Sequence, residues 1–205
     1  MNNKHLLAAL GIASALLAAV PAAVFSAEAP PAAKAEMKPA AKPEAKSDVV
    51  TVKGKDYSLT VHTPEGWQAD TANAKQYHGD ILFTQKGDSG AGAKILLIVQ
   101  HKFDENTNLL IDGDITSIRK QFPNLQAADL DAKHPTYPTF TKALSQPGQF
   151  FQYEAYMNPG SIYPNVVYVG MSKAKDAATP AELAAYKEIV QSLKVEPPPA
   201  APSPQ

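Results

Sequence analysis

The sequence predicts an α+β domain in which an antiparallel β-sheet is flanked by helices, as in an α/β/α sandwich. Most of the middle of the chain consists of short segments with strand-like composition or alternation. Two longer segments instead repeat apolar residues with the period of a helix. Turn residues separate the strand-like segments by short distances, which favours antiparallel pairing and helices packed on the sheet.

The first predicted strands are Val49–Val52 and Tyr57–His62. The first is rich in β-branched residues, and the second alternates apolar with polar residues, so that its apolar side chains share one face. Gly54 lies between them and indicates a hairpin. A turn then follows at Thr63–Trp67.

The next two strands are predicted at Ile81–Thr84 and Ala93–Val99. The intervening residues 86–92 include three glycines and indicate a flexible loop. Because Ala93–Val99 is almost entirely apolar, we expect a central strand that is covered on both faces.

A middle helix is predicted from Ile111, Ile115, Ile118 and Phe122, which recur at spacings of four, three and four. Pro123 ends it. Two acidic residues of this helix, Asp112 and Asp114, are expected on its solvent face.

Three strands and a helix complete the domain. Thr139–Leu144 returns to the strand pattern, and Phe150–Met157 and Val166–Met171 are predicted to pair antiparallel. The helix begins at Thr179–Glu182, where Thr, Pro and Glu match the N-cap, N1 and N3 positions of a capping box. An apolar stripe from Leu183 to Leu193 follows.

The two ends of the chain differ from this domain, which is predicted over residues 49–196. Residues 1–26 have the short basic region, apolar stretch and small residues of a signal peptide, with cleavage after Ser26; an uncleaved membrane anchor is the alternative. Residues 27–48 form a linker of Ala, Pro, Lys and Glu, either an extended spacer or a disordered leader without function. Residues 197–205 are a Pro-rich disordered tail. The protein is therefore expected to be periplasmic or secreted.

Composition excludes several classes of function. The chain of 205 residues carries a formal charge of −1, which lacks the basic excess of a nucleic-acid-binding protein. It has no cysteine, which excludes disulfides, thiolate metal sites, a cysteine nucleophile and a lipid anchor on cysteine. Membrane attachment is then expected only if the signal segment stays uncleaved.

The segment Tyr57–Trp67, a strand that runs into a Pro-x-Gly-Trp turn, resembles the start of a PsbP-like domain. The order of the elements that follow, up to the helix ending at Ile189–Leu193, is also similar to that superfamily. The resemblance covers about residues 49–195. It implies an α/β/α sandwich and a role in binding or assembly rather than catalysis, and it carries no functional residue over to this chain.

The residue patterns that would indicate an enzyme or a metal protein are incomplete. His62 and His101 lie at strand ends and are able to meet across a sheet, but no third ligand accompanies them. Residues 104–115 lack the glycine and the glutamate of a calcium loop. Ser89 lies in a Gly-rich loop without a nucleophile elbow. We therefore expect no catalytic residue, no metal and no cofactor.

A contact site for a partner is predicted at the connection between the last two sheet strands. Ile162 and Tyr163 lie there in a Pro/Gly-rich turn, where exposure of apolar and aromatic groups favours binding. Tyr156, in the strand before, is assigned to the same site. The sequence thus predicts a monomeric, exported, non-enzymatic module that binds a protein or another component of the cell envelope. The alternatives are a hydrolase with an unrecognised site and a membrane-tethered envelope spacer.

Overall fold

The computed structural model describes residues 48–55, 57–88, 90, 92–102, 106–160, 165–174 and 176–196. The predicted signal peptide, almost all of the linker and the tail lie outside these residues and remain predictions. The elements in chain order are β1 Val49–Lys53, β2 Ser58–His62, β3 Trp67–Asp70, α1 Thr71–Ala74, β4 Ile81–Gln85, β5 Lys94–His101, α2 Asn108–Gln121, β6 Gln126–Asp129, β7 Thr139–Gln146, β8 Phe150–Met157, β9 Asn165–Ala174, α3 Pro180–Ser192 and β10 Lys194–Glu196.

Seven strands form the main antiparallel sheet, in the order β3-β4-β5-β9-β8-β7-β6. Helix α3 packs on one face of this sheet, where Phe83, Met171 and Tyr186 belong to one apolar core. Helix α2 packs on the other face, where Ile111, Ile115 and Phe150 belong to a second core. The arrangement is the predicted α+β fold with helices on both faces of an antiparallel sheet.

The pairing of the best-defined strands is confirmed. β1 and β2 form the hairpin, and β8 pairs with β9 along its whole length, from Phe150 opposite Ala174 to Met157 opposite Val167. β5 lies between β4 and β9 and is buried on both faces over most of its length, as its apolar run predicts.

The hairpin, however, is not part of the main sheet. β1, β2 and β10 form a separate three-stranded sheet in the order β1-β2-β10. Its Leu59, Val61 and Val195 are buried in the same core as α3. Sequence pattern identifies strands and gives no information on which sheet receives them, so a single sheet was the simpler expectation.

Helix α3 begins with the capping box that the sequence predicts, and helix α2 ends near the proline that is predicted to end it. Thr179 Oγ1 accepts from the Glu182 amide at 3.2 Å, and Glu182 Oε2 accepts from the Thr179 amide at 2.7 Å, which completes the capping box. Helix α2 ends at Gln121, two residues before Pro123. No helix in the described part of the chain is long and apolar enough to cross a membrane.

Candidate functional site

The connection between β8 and β9 leaves the sheet from a stem that is held on both sides. Lys102 Nζ donates to Asn158 Oδ1 at 3.3 Å and to the Gly160 carbonyl at 3.1 Å. The Asn158 amide donates to the Pro138 carbonyl at 3.0 Å. On the other side, Asn165 pairs in register with His101. Two consecutive residues at the end of β5 therefore hold both ends of the connection.

The predicted contact residues Ile162 and Tyr163 lie outside the described residues, so their role remains a prediction. Tyr156 is described, and it lies under helix α2 with 4% of its surface exposed. Its hydroxyl donates to Asp114 Oδ2 in the interior. In this conformation Tyr156 offers no surface to a partner, because it faces a core-packing helix.

Tyr156 belongs instead to a buried polar cluster that lies between α2 and the sheet. The cluster consists of Asp114, Gln152, Glu154, Tyr156 and Tyr168, each of which is less than a tenth exposed. The expectation that Asp114 lies on the solvent face of α2 is wrong. Three residues after Ile111, it lies on the same helix face as the buried isoleucines and points toward β8.

Glu154 is the most enclosed member of the cluster and is fully buried. Gln152 Nε2 donates to Glu154 Oε1 at 2.7 Å and lies 3.4 Å from Tyr168 Oη. Glu154 Oε2 has no hydrogen-bond partner among the described residues. A buried carboxylate in this setting has little to compensate its lost hydration, which disfavours the charged form.

Burial therefore changes the protonation of both acids. Loss of hydration raises the pKa of Glu154 to about 8, and the nearby Asp114 carboxylate raises this pKa further. Loss of hydration also raises the pKa of Asp114 to about 6, against the effect of the Tyr156 hydrogen bond. At neutral pH the protonated form of Glu154 is favoured, which leaves Asp114 as the principal negative charge of the cluster.

Gly170 makes room for the cluster on β9. It lies opposite Glu154 in the pairing of β8 with β9. A Cβ atom at this position would come within 2.2 Å of Tyr168 Oη and 2.6 Å of Tyr168 Cζ. The tyrosine ring therefore occupies the volume that any larger residue would need, and glycine is required here by close packing rather than by backbone conformation.

The histidines do not combine into a metal site. His62 ends β2 in the small sheet and His101 ends β5 in the main sheet, so they do not meet across one sheet. His134 Nδ1 accepts from the Thr136 and Tyr137 amides, and its Nε2 lies 2.8 Å from the Leu193 carbonyl. Burial lowers the pKa of His134, consistent with a neutral ring that joins this loop to the end of α3. Within the described ranges, no group of three or more His, Cys, Asp or Glu residues is arranged to hold a metal ion.

Two other sequence candidates fall elsewhere. Ser89 lies outside the described residues, as do Asp104 and Glu105 of the calcium-like segment. Asp114, another acid of that segment, is directed into the core. It is therefore not placed to bind a cation in a surface loop.

Two patterns in the sequence indicate the buried cluster. Gln152, Glu154 and Tyr156 occupy alternate positions along β8, so their side chains share one face of the strand. The residues between and beside them are apolar or aromatic. Asp114 lies within the isoleucine stripe of α2 at helical spacing. Together, a polar face on a buried strand and an acid in an apolar stripe predict an interior polar network.

No family model matches the chain, and no curated protein matches it. Solved structures that are similar to it include the following two. LpqN of Mycobacterium tuberculosis, described as involved in cell envelope biogenesis, is 15% identical and has a TM-score of 0.49 over 75% of this chain and 94% of LpqN. The cyanobacterial PsbP (CyanoP) of Synechocystis is 11% identical and has a TM-score of 0.46 over 77% of this chain and 98% of that protein. The α+β fold is established by the strands and helices of this chain itself.

Proposed function

We propose that the protein is an exported, non-enzymatic binding module of the cell envelope that contacts its partner through the β8–β9 connection. The observation that carries the proposal is the stem of this connection. His101 and Lys102 hold its two ends at adjacent positions on the sheet. A loop anchored at both ends on a rigid sheet loses less conformational entropy on binding than a free segment.

The placement of the ionisable groups supports a binding role over a catalytic one. The carboxyls with strongly raised pKa values, Asp114 and Glu154, lie in a closed interior, 6% and 0% exposed. A general acid or base must reach its substrate within hydrogen-bond distance. In this conformation the two carboxyls contact only interior side chains among the described residues, and a substrate in solution cannot reach them.

The proposal is tested by placing a photo-crosslinking amino acid at position 163 in cells that export the protein. We expect a discrete adduct whose other component mass spectrometry identifies. The same label at Val49, an apolar residue that is 55% exposed on the small sheet, is the control. Identical adducts from both positions would contradict a role for the loop.

The identified partner then allows a quantitative test with purified proteins. Replacing Tyr163 with Ala is expected to weaken binding by roughly tenfold or more, as loss of an aromatic anchor does. The thermal unfolding midpoint should stay unchanged, since the proposal assigns Tyr163 to partner contact rather than to the core. Equal affinities of wild type and Y163A would remove Tyr163 from the site.

A further inference from the structure

An open groove runs between helix α3 and the turn that follows β2. Its volume is about 480 Å³. One wall is formed by Pro64, Gly66 and Trp67, and the opposite wall by three small residues of α3, Ala181, Ala184 and Ala185. The groove is therefore lined by both apolar and polar groups, the latter including Glu65 and Glu188.

The wall at Trp67 is rigidly built. The Trp67 amide donates to the Pro64 carbonyl at 3.1 Å, which closes a tight turn, and Gly66 has the positive φ of 80° that such a turn favours. The Lys86 amide donates to the Gly66 carbonyl at 2.8 Å, which fixes the turn to the end of β4. The groove therefore needs no rearrangement of its backbone to accept a ligand.

The chain enters the domain beside this groove. The Thr63 amide donates to the Asp48 carbonyl at 2.8 Å, and Thr63 directly precedes Pro64 of the groove wall. Thr63 is 6% exposed, and its Oγ1 has no hydrogen-bond partner among the described residues. A buried hydroxyl of this kind is normally paired, so an additional polar group is expected at this position.

The charges on the groove complement those of the linker. Glu65 and Glu188 line it together with a single described cation, Lys86. The linker carries Lys42 and Lys46, with Pro39 and Pro43 between and before them. Proline-rich segments adopt the extended PPII conformation, which is preformed and therefore loses little entropy on binding.

We propose that residues 39–47 of the linker bind in this groove of the same chain. The prolines pack against the exposed Ala181 and Ala184 of α3, Lys42 and Lys46 face Glu65 and Glu188, and the backbone near residue 47 pairs with Thr63 Oγ1. The spacing of the charges is compatible with the groove. Lys42 and Lys46 lie about 12 Å apart in a PPII segment, and Ala181 to Glu188 spans roughly 10 Å of helix.

The inference changes the reach of the linker. If fully extended, residues 28–48 span roughly 65 Å. With residues 39–47 bound, only residues 28–38 before them are free, and their reach is about 34 Å. The groove thus provides a short and a long state of the linker, and partners that compete for the groove would release the longer one.

The experiment uses the chain from Ala27 to Gln205 and a nitroxide attached to cysteine. Because the sequence contains no cysteine and one tryptophan, an A41C variant carries a unique label and Trp67 is a unique reporter. We expect the label to broaden the Trp67 indole N–H resonance at least severalfold relative to the reduced, diamagnetic label. The matched control is A201C in the Pro-Ala tail, which should leave the resonance sharp.

Charge reversal separates specific binding from chance proximity. K42E/K46E is expected to abolish most of the broadening from A41C, and adding E65K/E188K to that variant is expected to restore it. Broadening from A201C equal to that from A41C would overturn the assignment in favour of the tail. Broadening that increases with protein concentration would assign the groove to a second copy, and no broadening in any variant would overturn the proposal entirely. None of these outcomes depends on the β8–β9 connection.

Discussion

At the scale of single residues, the cluster under α2 is unusual because no Lys or Arg in the described part of the chain pairs with its two acids. Lys142 lies directly opposite Glu154 on β7, yet its Nζ pairs with Asp129 at 2.6 Å, on the exposed edge strand β6. Glu154 is left with the amide of Gln152. Protonation, rather than ion pairing, therefore compensates the burial of this carboxyl.

This arrangement predicts a stability that falls as pH rises. The folded protein keeps the Glu154 proton up to a pH of about 8, whereas the unfolded chain loses it near the ordinary value of 4.5. Between these values the folded state binds more protons, so the free energy of unfolding decreases with pH, with a limiting slope of about 1.4 kcal/mol per pH unit for one group. Below this range the stabilisation is fully present.

Replacing Glu154 with Gln is expected to flatten this dependence and to raise stability at pH 8 relative to wild type. Urea unfolding at pH 5, 6.5 and 8 measures it. E196Q, a change at an exposed carboxyl of β10, is the control and should retain the wild-type slope. Parallel wild-type and E154Q curves would show that Glu154 is already charged in the folded protein.

Tyr156 makes a second prediction at this scale. Y156F keeps the ring in the apolar core and removes the hydroxyl that donates to Asp114. A buried acceptor without its donor costs about 1–3 kcal/mol, so the unfolding midpoint should fall. Affinity for the partner should not change. A variant that unfolds like wild type but binds more weakly would return Tyr156 to the contact site.

At the scale of elements, α3 is the helix that the sequence defines best, and its first turn also attaches it to the sheet. Glu182 Oε2 accepts from Lys173 Nζ of β9 at 2.8 Å as well as from the Thr179 amide. Thr179 to Ala is expected to destabilise the protein by about 1 kcal/mol, and T179S, which keeps the hydroxyl, by much less. Thermal unfolding midpoints of the two variants test this expectation. Equal midpoints for T179A and T179S would show that the hydroxyl cap does not stabilise the protein.

The elements that could be predicted from the sequence are those in which the spacing of apolar residues matches the face that is buried in the structure. β5, β8, α2 and α3 each bury a face that their period marks. β6 was missed because its residues, Gln-Ala-Ala-Asp, are all exposed and none is β-branched or aromatic. β3 and β10 were missed because four and three residues are too few to establish a period.

The candidate site was less predictable than the fold. Ile162 and Tyr163 follow from turn composition, which is a local property. The Lys102 contacts that hold the stem join residues separated by 56 and 58 positions, and only the sheet brings them together. The meeting of Asp114 with Tyr156 depends in the same way on how α2 lies across the sheet, which no local pattern records.

At the scale of the whole molecule, the mature chain is expected to start at Ala27, after removal of the signal peptide. Export should yield a chain whose N-terminal sequence starts Ala-Glu-Ala-Pro and whose intact mass matches residues 27–205. N-terminal sequencing and intact-mass spectrometry of protein recovered from the soluble envelope fraction or from the medium test this expectation. A chain that retains Met1 and fractionates with membranes would support the anchor instead.

The small sheet determines how tension would pass through the molecule. β1 and β10 lie on either side of β2 and run parallel to each other, so the linker leaves at the His62 end and the tail leaves at the Ser58 end. Opposed forces on the two termini therefore slide the outer strands past β2 along their length. The hydrogen bonds lie across that direction and must break together rather than in succession. The seven-stranded sheet and its loop stem lie outside this force path until the small sheet separates, so a pull on the two termini would load the small sheet first.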